Sequence, residues 1–280
     1  MLNNVKLNAA NVPHKEGLNA EERKALWQDI SSRLIETGRP GIKRLLNWMQ
    51  SDVGNGVMNF VNAPASKKYH GNYPGGLMEH SWNVYTWLTV IAGSANSMKN
   101  ADAKLSEEES KAMMDSVAIV ALLHDLCKVA FYTQEPKNRK VYSEDGSKSD
   151  AGGRFDWQTI MEYSIKDTHK LGHGESSVAI IEKFLGVYGL TTEERMAIRY
   201  HMGEFEKDRE TSEVYNRYPL AAMLHMADLA ATYLEEREST EMLDTFWDTV
   251  KQFARPAKAT EQKDEQPEQN AAQSEPAKQE

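Results

Sequence analysis

Residues 121–128 read ALLHDLCK and place a histidine and an aspartate, His124 and Asp125, at the end of an apolar run. The preceding residues belong to the stretch SEEESKAMMDSVAIVALLHDLCKVA (106–130), which predicts a long helix with Ser106 in a capping box. Two ionisable side chains at the inner end of an apolar helix are costly to bury unless they have partners. The stretch therefore predicts a buried central helix that ends at a polar site.

Helical patterns extend over most of the remaining chain. Apolar residues at helical spacing predict helices over about 19–38, 40–50, 77–92, 173–187, 191–203, 218–237 and 240–254. Residues 133–158 form a polar, glycine-rich insertion, and a short strand at 157–163 pairs with 139–143 as half of a hairpin. The predicted fold class is all-α, a helical bundle with a short β-hairpin insertion.

Composition restricts the class of protein and its partners. The chain of 280 residues has a net charge of −9, which argues against binding long duplex DNA, and it contains one cysteine, Cys127. The N-terminus has no signal-peptide pattern, and no apolar run is long enough to span a bilayer, so we expect a cytoplasmic protein without membrane contact. Residues 256–280 have no large apolar side chain and predict a disordered acidic tail. The expected domains are 1–59, N-terminal helices packing on the core, and 60–255, the domain that contains the His-Asp pair.

Six polar residues lie near helix ends or among apolar neighbours on five predicted helices. They are His80, His124, Asp125, His173, His201 and Asp228. A single histidine of this kind is usually a core residue whose ring is hydrogen-bonded within the protein. The inference therefore depends on all six residues together. Burying so many ionisable groups without partners costs several kcal/mol each, and metal coordination removes that cost. The set predicts a metal site.

The order and context of these residues resemble the HD-domain metal-dependent phosphohydrolase superfamily, whose signature is H…HD…D. The matching residues are His80, His124, Asp125 and Asp228, in the texts GGLMEHSWNV, ALLHDLCKV and LHMADLAATYL. The resemblance covers roughly residues 60–237 and implies a helical bundle around the metal site. It also implies hydrolysis of phosphate esters or anhydrides, most often in nucleotides or nucleic acids.

The intervening histidines resemble the binuclear members of that superfamily. By this resemblance one ion takes the H…HD…D residues, while a second shares Asp125 and adds His173 and His201. A site rich in imidazole favours Mn, Fe, Co, Ni or Zn over Mg. The chain lacks the GYP motif of the HD-GYP group, and residues 1–60 lack the OB-type strands that bacterial HD exoribonucleases carry. It therefore looks most like the stand-alone HD hydrolases of bacteria and their phages.

Four further residues are candidates for substrate contact. Lys128 matches the lysine of the HDxxK form, which implies a place near the substrate phosphate; the alternative is a surface lysine. Arg195 and Arg199 are one turn apart before His201, and either could clamp a phosphate or pair with Glu193, Glu194 or Glu204. His70 lies in the loop before the GGL stretch.

Asp125 and Lys128 are the expected catalytic residues. The predicted function is a metal-dependent phosphohydrolase that cleaves a phosphate ester or anhydride of a nucleotide or short nucleic acid through a metal-bound hydroxide. Two alternatives stay open at this point: a 3′–5′ exonuclease on single-stranded RNA or DNA, and a catalytically silent HD binding module. The expected partner is a nucleotide or short oligonucleotide, and the oligomeric state is open.

Overall fold

The structure, a computed structural model, describes residues 17–51, 58–99, 105–167, 170–206 and 210–236. The α-helices in these ranges are α1 (Ala20–Glu36), α2 (Ile42–Gln50), α3 (Gly76–Lys99), α4 (Glu107–Leu123), α5 (His173–Leu185), α6 (Thr192–Arg199), α7 (Thr211–Arg217) and α8 (Pro219–Ala230). The strands are β1 (Tyr132–Tyr142), β2 (Lys148–Asp150) and β3 (Gly153–Ile165). The predominance of helix agrees with the predicted helical bundle, and the sheet is larger than the predicted short hairpin.

Helix α4 lies at the centre of the bundle. Its residues 117–123 are all fully buried, and it packs against α1, α3 and α6. Helix α3 also packs against α8, and α6 packs against both α5 and α8. The prediction of a buried central helix before the His-Asp pair is therefore confirmed.

Local sequence signals determine where several helices begin. Asn19, Ser106 and Thr191 each cap a helix, and a glutamate three residues later completes a capping box in every case. These reciprocal hydrogen bonds satisfy backbone groups that the first turn of a helix leaves without partners. The helix starts predicted from these residues are confirmed.

The insertion after α4 is a three-stranded antiparallel sheet in the order β1-β3-β2. Strand β1 pairs with β3 along its whole length, from Tyr132 opposite Ile165 to Tyr142 opposite Phe155. The two predicted segments do lie on paired strands, but their register differs from the prediction, because residues 157–163 pair with 134–140 and not with 139–143. Most of the residues expected to form a loop are strand. The side chains of these strands are mostly exposed and show no clear alternation of apolar and polar residues. Cross-strand ion pairs such as Arg139 with Glu162 stabilise the sheet.

Two predicted segments, the helix at 240–254 and the tail at 256–280, lie outside the described residues. The domain boundaries at residues 59 and 255 stay predictions. Among the described residues, none of the helices is long and apolar enough to cross a membrane.

Candidate metal centre

The His-Asp pair lies where the central helix stops. Helix α4 ends at Leu123, His124 caps it, and Asp125 leaves the helical conformation with φ −101° and ψ 21°. A single 3₁₀ turn, Leu126–Lys128, follows. Neighbouring side chains on a regular helix point about 100° apart, so this break lets both residues face one centre. The expectation that the helix ends at this pair is confirmed.

Five side chains from four parts of the chain converge at this point. The Nε2 atom of His80 on α3 lies 3.3 Å from Nε2 of His124 and 3.2 Å from Oδ1 of Asp228 on α8. Asp125 Oδ2 lies 3.4 Å from Nε2 of His124 and 3.6 Å from Nε2 of His80. His201, just beyond α6, places its Nε2 3.6 Å from Asp125 Oδ1. All of these except Asp228 are almost completely buried.

Backbone carbonyls at two helix ends orient two of the imidazoles. His124 Nδ1 donates to the carbonyl of Ala121 at 2.8 Å, and His201 Nδ1 donates to the carbonyl of Ile198 at 2.7 Å. The last carbonyls of a helix have no partner within the helix, so they are free to accept these bonds. With Nδ1 occupied as a donor, Nε2 of each neutral ring presents a lone pair to the centre.

A carboxylate orients the third imidazole. His80 Nδ1 donates to Glu236, with Oε2 at 3.0 Å, and Asn83 Nδ2 donates to Oε1 of the same carboxylate at 3.0 Å. Glu236 follows a π-helical turn, Ala231–Glu235, that extends α8. Such a partner fixes the orientation of a metal-binding imidazole and increases its basicity.

Negative charge dominates the electrostatics of the centre. Burial lowers the pKa of His80, but Glu236 and Asp228 outweigh burial and raise it to about 10. Burial raises the pKa of Asp125, but the Lys128 ammonium and the neighbouring imidazoles lower it well below its usual range. The pKa of Asp228 is likewise lowered, because His80 outweighs burial. The carboxylates are therefore ionised, and they favour positive charge at their centre.

These side chains fit a divalent metal ion. Asp125 Oδ1 and His201 Nε2 are buried and have no hydrogen-bond partner, which is costly unless a cation lies between such groups. Two nitrogen ligands of a tetrahedral ion lie about 3.3–3.4 Å apart when their bonds are about 2.0–2.1 Å long. The Nε2 atoms of His80 and His124 are 3.3 Å apart. Imidazole and carboxylate are also the donors that transition ions prefer.

Comparison with known families agrees with this geometry. The family model described as "HD domain" matches residues 77–245, which is more than half of the chain. This chain belongs to the HD-domain family. Comparisons with curated proteins and with solved structures returned no significant match. The HD family consists in general of metal-dependent phosphohydrolases, and the clustered histidine and carboxylate side chains are groups that could hold a divalent metal.

An open cleft of about 540 Å³ leads to the HD residues. Its polar end includes Lys128, whose Nζ lies 2.6 Å from Asp125 Oδ2. Burial lowers the pKa of Lys128, but the Asp125 carboxylate outweighs it and raises the pKa, so the ammonium stays charged. His70 lies in the same cleft with its ring 5.0 Å from that of His80, and burial lowers its pKa to about 4. Lys128 and His70 therefore both line the cleft, and their contact with a substrate stays a prediction.

His173, the first residue of α5, is placed apart from His201. It lies beside Cys127, with Nδ1 3.4 Å from Sγ, in a second, smaller cleft. Among the described residues, the potential metal-binding groups pair His173 with Cys127 and Asp125, and His201 with His124 and Asp125, but none contains both histidines. The structure therefore does not bring together the second-ion set expected from the binuclear resemblance.

The two arginines expected to contact substrate form ion pairs elsewhere. Arg195 pairs with Glu182 and donates to a backbone carbonyl, while Arg199 Nε lies 3.0 Å from Glu175 Oε2. These partners differ from the glutamates suggested by the sequence, and neither arginine lines the cleft. Their role in substrate binding stays a prediction.

Several residues of the site were not identified from the sequence. Glu236 lies in the run EERES, which is typical of a solvated surface, yet it is 6 % exposed and holds His80. The cleft walls were also missed, and they are formed by Met202, Phe205, Leu229, Thr232 and Tyr233. His225 on α8 donates from Nδ1 to the carbonyl of His201 at 2.6 Å. Helical spacing from Asp228 was the only available signal for Thr232 and Glu236.

Proposed function

We propose that this protein is a metal-dependent phosphohydrolase that cleaves a phosphate ester or anhydride of a nucleotide or short oligonucleotide. One observation carries the proposal: the donor atoms of His80, His124, Asp125 and Asp228 converge within 3.2–3.6 Å at the end of an open cleft. These four residues would hold the ion. When bound, a divalent ion supplies positive charge to phosphate oxygens and lowers the pKa of water.

The residues around the centre support this chemistry. Lys128 contributes a permanent positive charge within the cleft, where it can attract a non-bridging phosphate oxygen. Asp125 accepts from this ammonium and holds it at 2.6 Å, so the charge is positioned before substrate arrives. His70, with its lowered pKa, contributes a neutral ring that can hydrogen-bond to an incoming phosphate without adding charge.

The aromatic and apolar side chains that line the cleft support a nucleotide as substrate. Phe205 and Tyr233 line it and are 68 % and 55 % exposed, and Met202 and Leu229 add apolar surface beside them. Aromatic faces of this kind stack on nucleobases without strong sequence preference. A nucleotide whose base lies on this wall directs its phosphate toward the polar end of the cleft.

A panel of substrates tests the proposal. Wild-type protein loaded with Mn, Co or Zn is incubated with nucleoside mono- and triphosphates, cyclic dinucleotides, and labelled single-stranded RNA and DNA. We expect hydrolysis of a nucleotide or dinucleotide, and a loss of at least about 10²-fold in the Asp125→Ala variant. Activity confined to long single strands would favour the exonuclease instead.

The outcome that contradicts the proposal is a metal-loaded, folded wild-type protein that cleaves no member of the panel. That result would favour the silent HD binding module, and metal analysis of the same sample would show whether the centre still binds ions.

A further inference from the structure

The loop that carries His70 also borders a second groove, which lies along the edge of β3. The groove has a volume of about 540 Å³ and is lined by Lys67, Lys68, Asn72, Met161, Glu162 and Tyr163. Successive side chains of a strand point to opposite faces, so a groove lined by residues 161–163 follows the edge of the strand. Strand β2 pairs with β3 only from Gly153 to Phe155. Within the part of the chain that the structure describes, this edge therefore has no neighbouring strand beyond Phe155.

The groove is locally positive, although the chain carries a net charge of −9. Arg139 donates to both carboxylate oxygens of Glu162, at 2.5 Å and 2.7 Å, and so neutralises the acidic side chain of the groove. Lys68 and Lys137 also act electrostatically on this carboxylate. Among the described residues, neither Lys67 nor Lys68 forms an ion pair. Ammonium groups without ion-pair partners beside a neutralised carboxylate attract an anionic ligand such as a phosphate.

The same loop connects the groove to the cleft of the metal centre. The amide of Ala65 donates to the carbonyl of Gly71 at 2.9 Å, and Ser66 Oγ donates to the carbonyl of His70 at 2.8 Å. These bonds close the loop into a compact turn. His70 of this turn lines the cleft, whereas the two lysines line the groove.

Two tyrosines form a second connection between the groove and the metal centre. The ring centroids of Tyr163, in the groove, and Tyr132 are 6.3 Å apart. Tyr132 interacts electrostatically with Lys128, which contacts Asp125. The groove and the cleft are therefore neighbouring parts of one surface, and one extended ligand can occupy both.

Exposed aromatic and apolar side chains continue from the groove along one face of the sheet. Trp157, Met161 and Tyr163 share this face of β3, because even numbers of residues separate them. Trp157 is 52 % exposed and Met161 is 57 % exposed. Open sheet faces that carry aromatic side chains bind single-stranded nucleic acids by stacking on their bases.

We propose that the groove and the aromatic face of β3 bind a single-stranded oligonucleotide whose terminal nucleotide occupies the cleft of the metal centre. Lys67 and Lys68 bind phosphates of the following nucleotides, and Trp157 stacks on a base farther along the strand. An acidic peptide that adds to the edge of β3 is the competing ligand, and the connection to the cleft favours the nucleic acid. The inference rests on the proposed function for the terminal nucleotide, but binding in the groove is measured without hydrolysis.

Fluorescence anisotropy tests the groove with metal-loaded protein and a labelled single strand of about eight nucleotides, whose phosphorothioate linkages slow hydrolysis. We expect the double variant Lys67→Gln/Lys68→Gln to bind about 10-fold more weakly at low salt. The slope of log affinity against log salt concentration should fall by about 1.4, since each phosphate contact of a single strand contributes about 0.7. The matched control is Lys24→Gln/Lys43→Gln, which removes two exposed lysines outside the cleft and the groove. Equal affinities of the two double variants would overturn the inference.

A second measurement uses only the wild-type protein and so does not depend on the folding of a variant. The oligonucleotide should slow acetylation of Lys67 and Lys68 by about 5-fold or more, as measured by mass spectrometry, and should leave acetylation of Lys24 and Lys43 unchanged. Equal acetylation rates with and without the strand, or protection by an acidic peptide and not by the oligonucleotide, would overturn the inference. Protection of the two groove lysines without hydrolysis of any substrate would support the groove and contradict the proposed hydrolase, so the two failures are distinguishable.

Discussion

At the scale of single residues, the imidazoles of the centre are oriented by groups that the sequence does not mark. His124 and His201 each follow a helix end and donate to a carbonyl three residues earlier, whereas His80 donates to Glu236. All three rings therefore direct Nε2 to the same point. Glu236 is charged, whereas a backbone carbonyl is not. The orientation of His80 therefore depends on a side chain that can be changed by mutation.

We expect the Glu236→Gln variant to lower metal affinity by about 10–100-fold, because the neutral amide no longer increases the basicity of His80. Competition with a metal chelator measures the change. The matched control is Glu235→Gln on the same turn, which removes a carboxylate that does not contact His80 and should leave affinity unchanged. Equal affinities in the two variants would contradict the role of Glu236.

Lys128 is the residue whose charge matters most for the proposed reaction. Lys128→Met keeps much of the side-chain volume and removes the ammonium that lies 2.6 Å from Asp125. We expect kcat to fall by about 10²–10³-fold, while the protein still binds metal, because the lost charge acts on the phosphate. The control Lys43→Met changes an exposed lysine on α2. An unchanged kcat in the Lys128 variant would show that this ammonium only neutralises Asp125.

The sequence identified the residues at the metal centre but not the carboxylates that support them. His80, His124, Asp125 and Asp228 were identified because their spacing follows a known signature, and the structure brings them together. Glu79 and Glu175 lie close in sequence to His80 and His173, but Glu79 accepts a hydrogen bond from Tyr73 and Glu175 pairs with Arg199. Which carboxylate reaches a histidine depends on helix packing, and adjacency in sequence does not determine it.

At the scale of elements, the position of His201 depends on how closely α5 and α6 approach. Gly174 near the start of α5 faces the end of α6, where an added Cβ would lie 2.1 Å from the carbonyl oxygen of Arg199. Only glycine permits this approach, because the obstructing atom belongs to the backbone and cannot rotate away. The same contact places His173, the first residue of α5, and His201, two residues beyond the end of α6, each near Asp125.

Replacing Gly174 by alanine should therefore separate α5 from α6. We expect a loss of about 1–3 kcal/mol in the free energy of unfolding, as for overpacking of a close contact, and weaker metal binding because His201 moves. Denaturant unfolding and chelator competition measure the two effects. Gly93→Ala on α3 is the control, since nothing lies within 4 Å of its added Cβ. That variant should gain about 0.5–1 kcal/mol from the higher helix propensity of alanine.

The elements differ in how well local sequence predicts them. The starts of α1, α4 and α6 were predicted correctly because the capping residue lies directly before the first turn of each helix. Strands β1 and β3 were predicted too short, because their pairing depends on partners about 20 residues away and on side chains exposed on both faces. The π turn at 231–235 was not predicted. It shifts the register after α8 and brings Glu236 to His80.

At the scale of the whole molecule, the bundle encloses a group of charges that it cannot neutralise well by itself. Asp125, Glu236 and the imidazoles lie in the interior between α3, α4, α6 and α8, and two of their polar atoms have no hydrogen-bond partner. Desolvated charges without full compensation reduce the stability of the folded state. The stability of the bundle and the occupancy of the metal centre are therefore linked.

Removal of metal should lower the melting temperature. An ion that binds only the folded state adds about 2.7 kcal/mol at a free concentration 100 times its Kd. For a chain of this size that energy corresponds to about 5–10 °C. Differential scanning calorimetry with and without chelator measures the shift, and restoring Zn²⁺ or Mn²⁺ should reverse it. In Asp125→Ala the shift should largely disappear, because this residue belongs to the metal centre, whereas Asp150→Ala on the exposed strand β2 should keep it. Superimposable melting curves for wild type with and without metal would contradict the linkage.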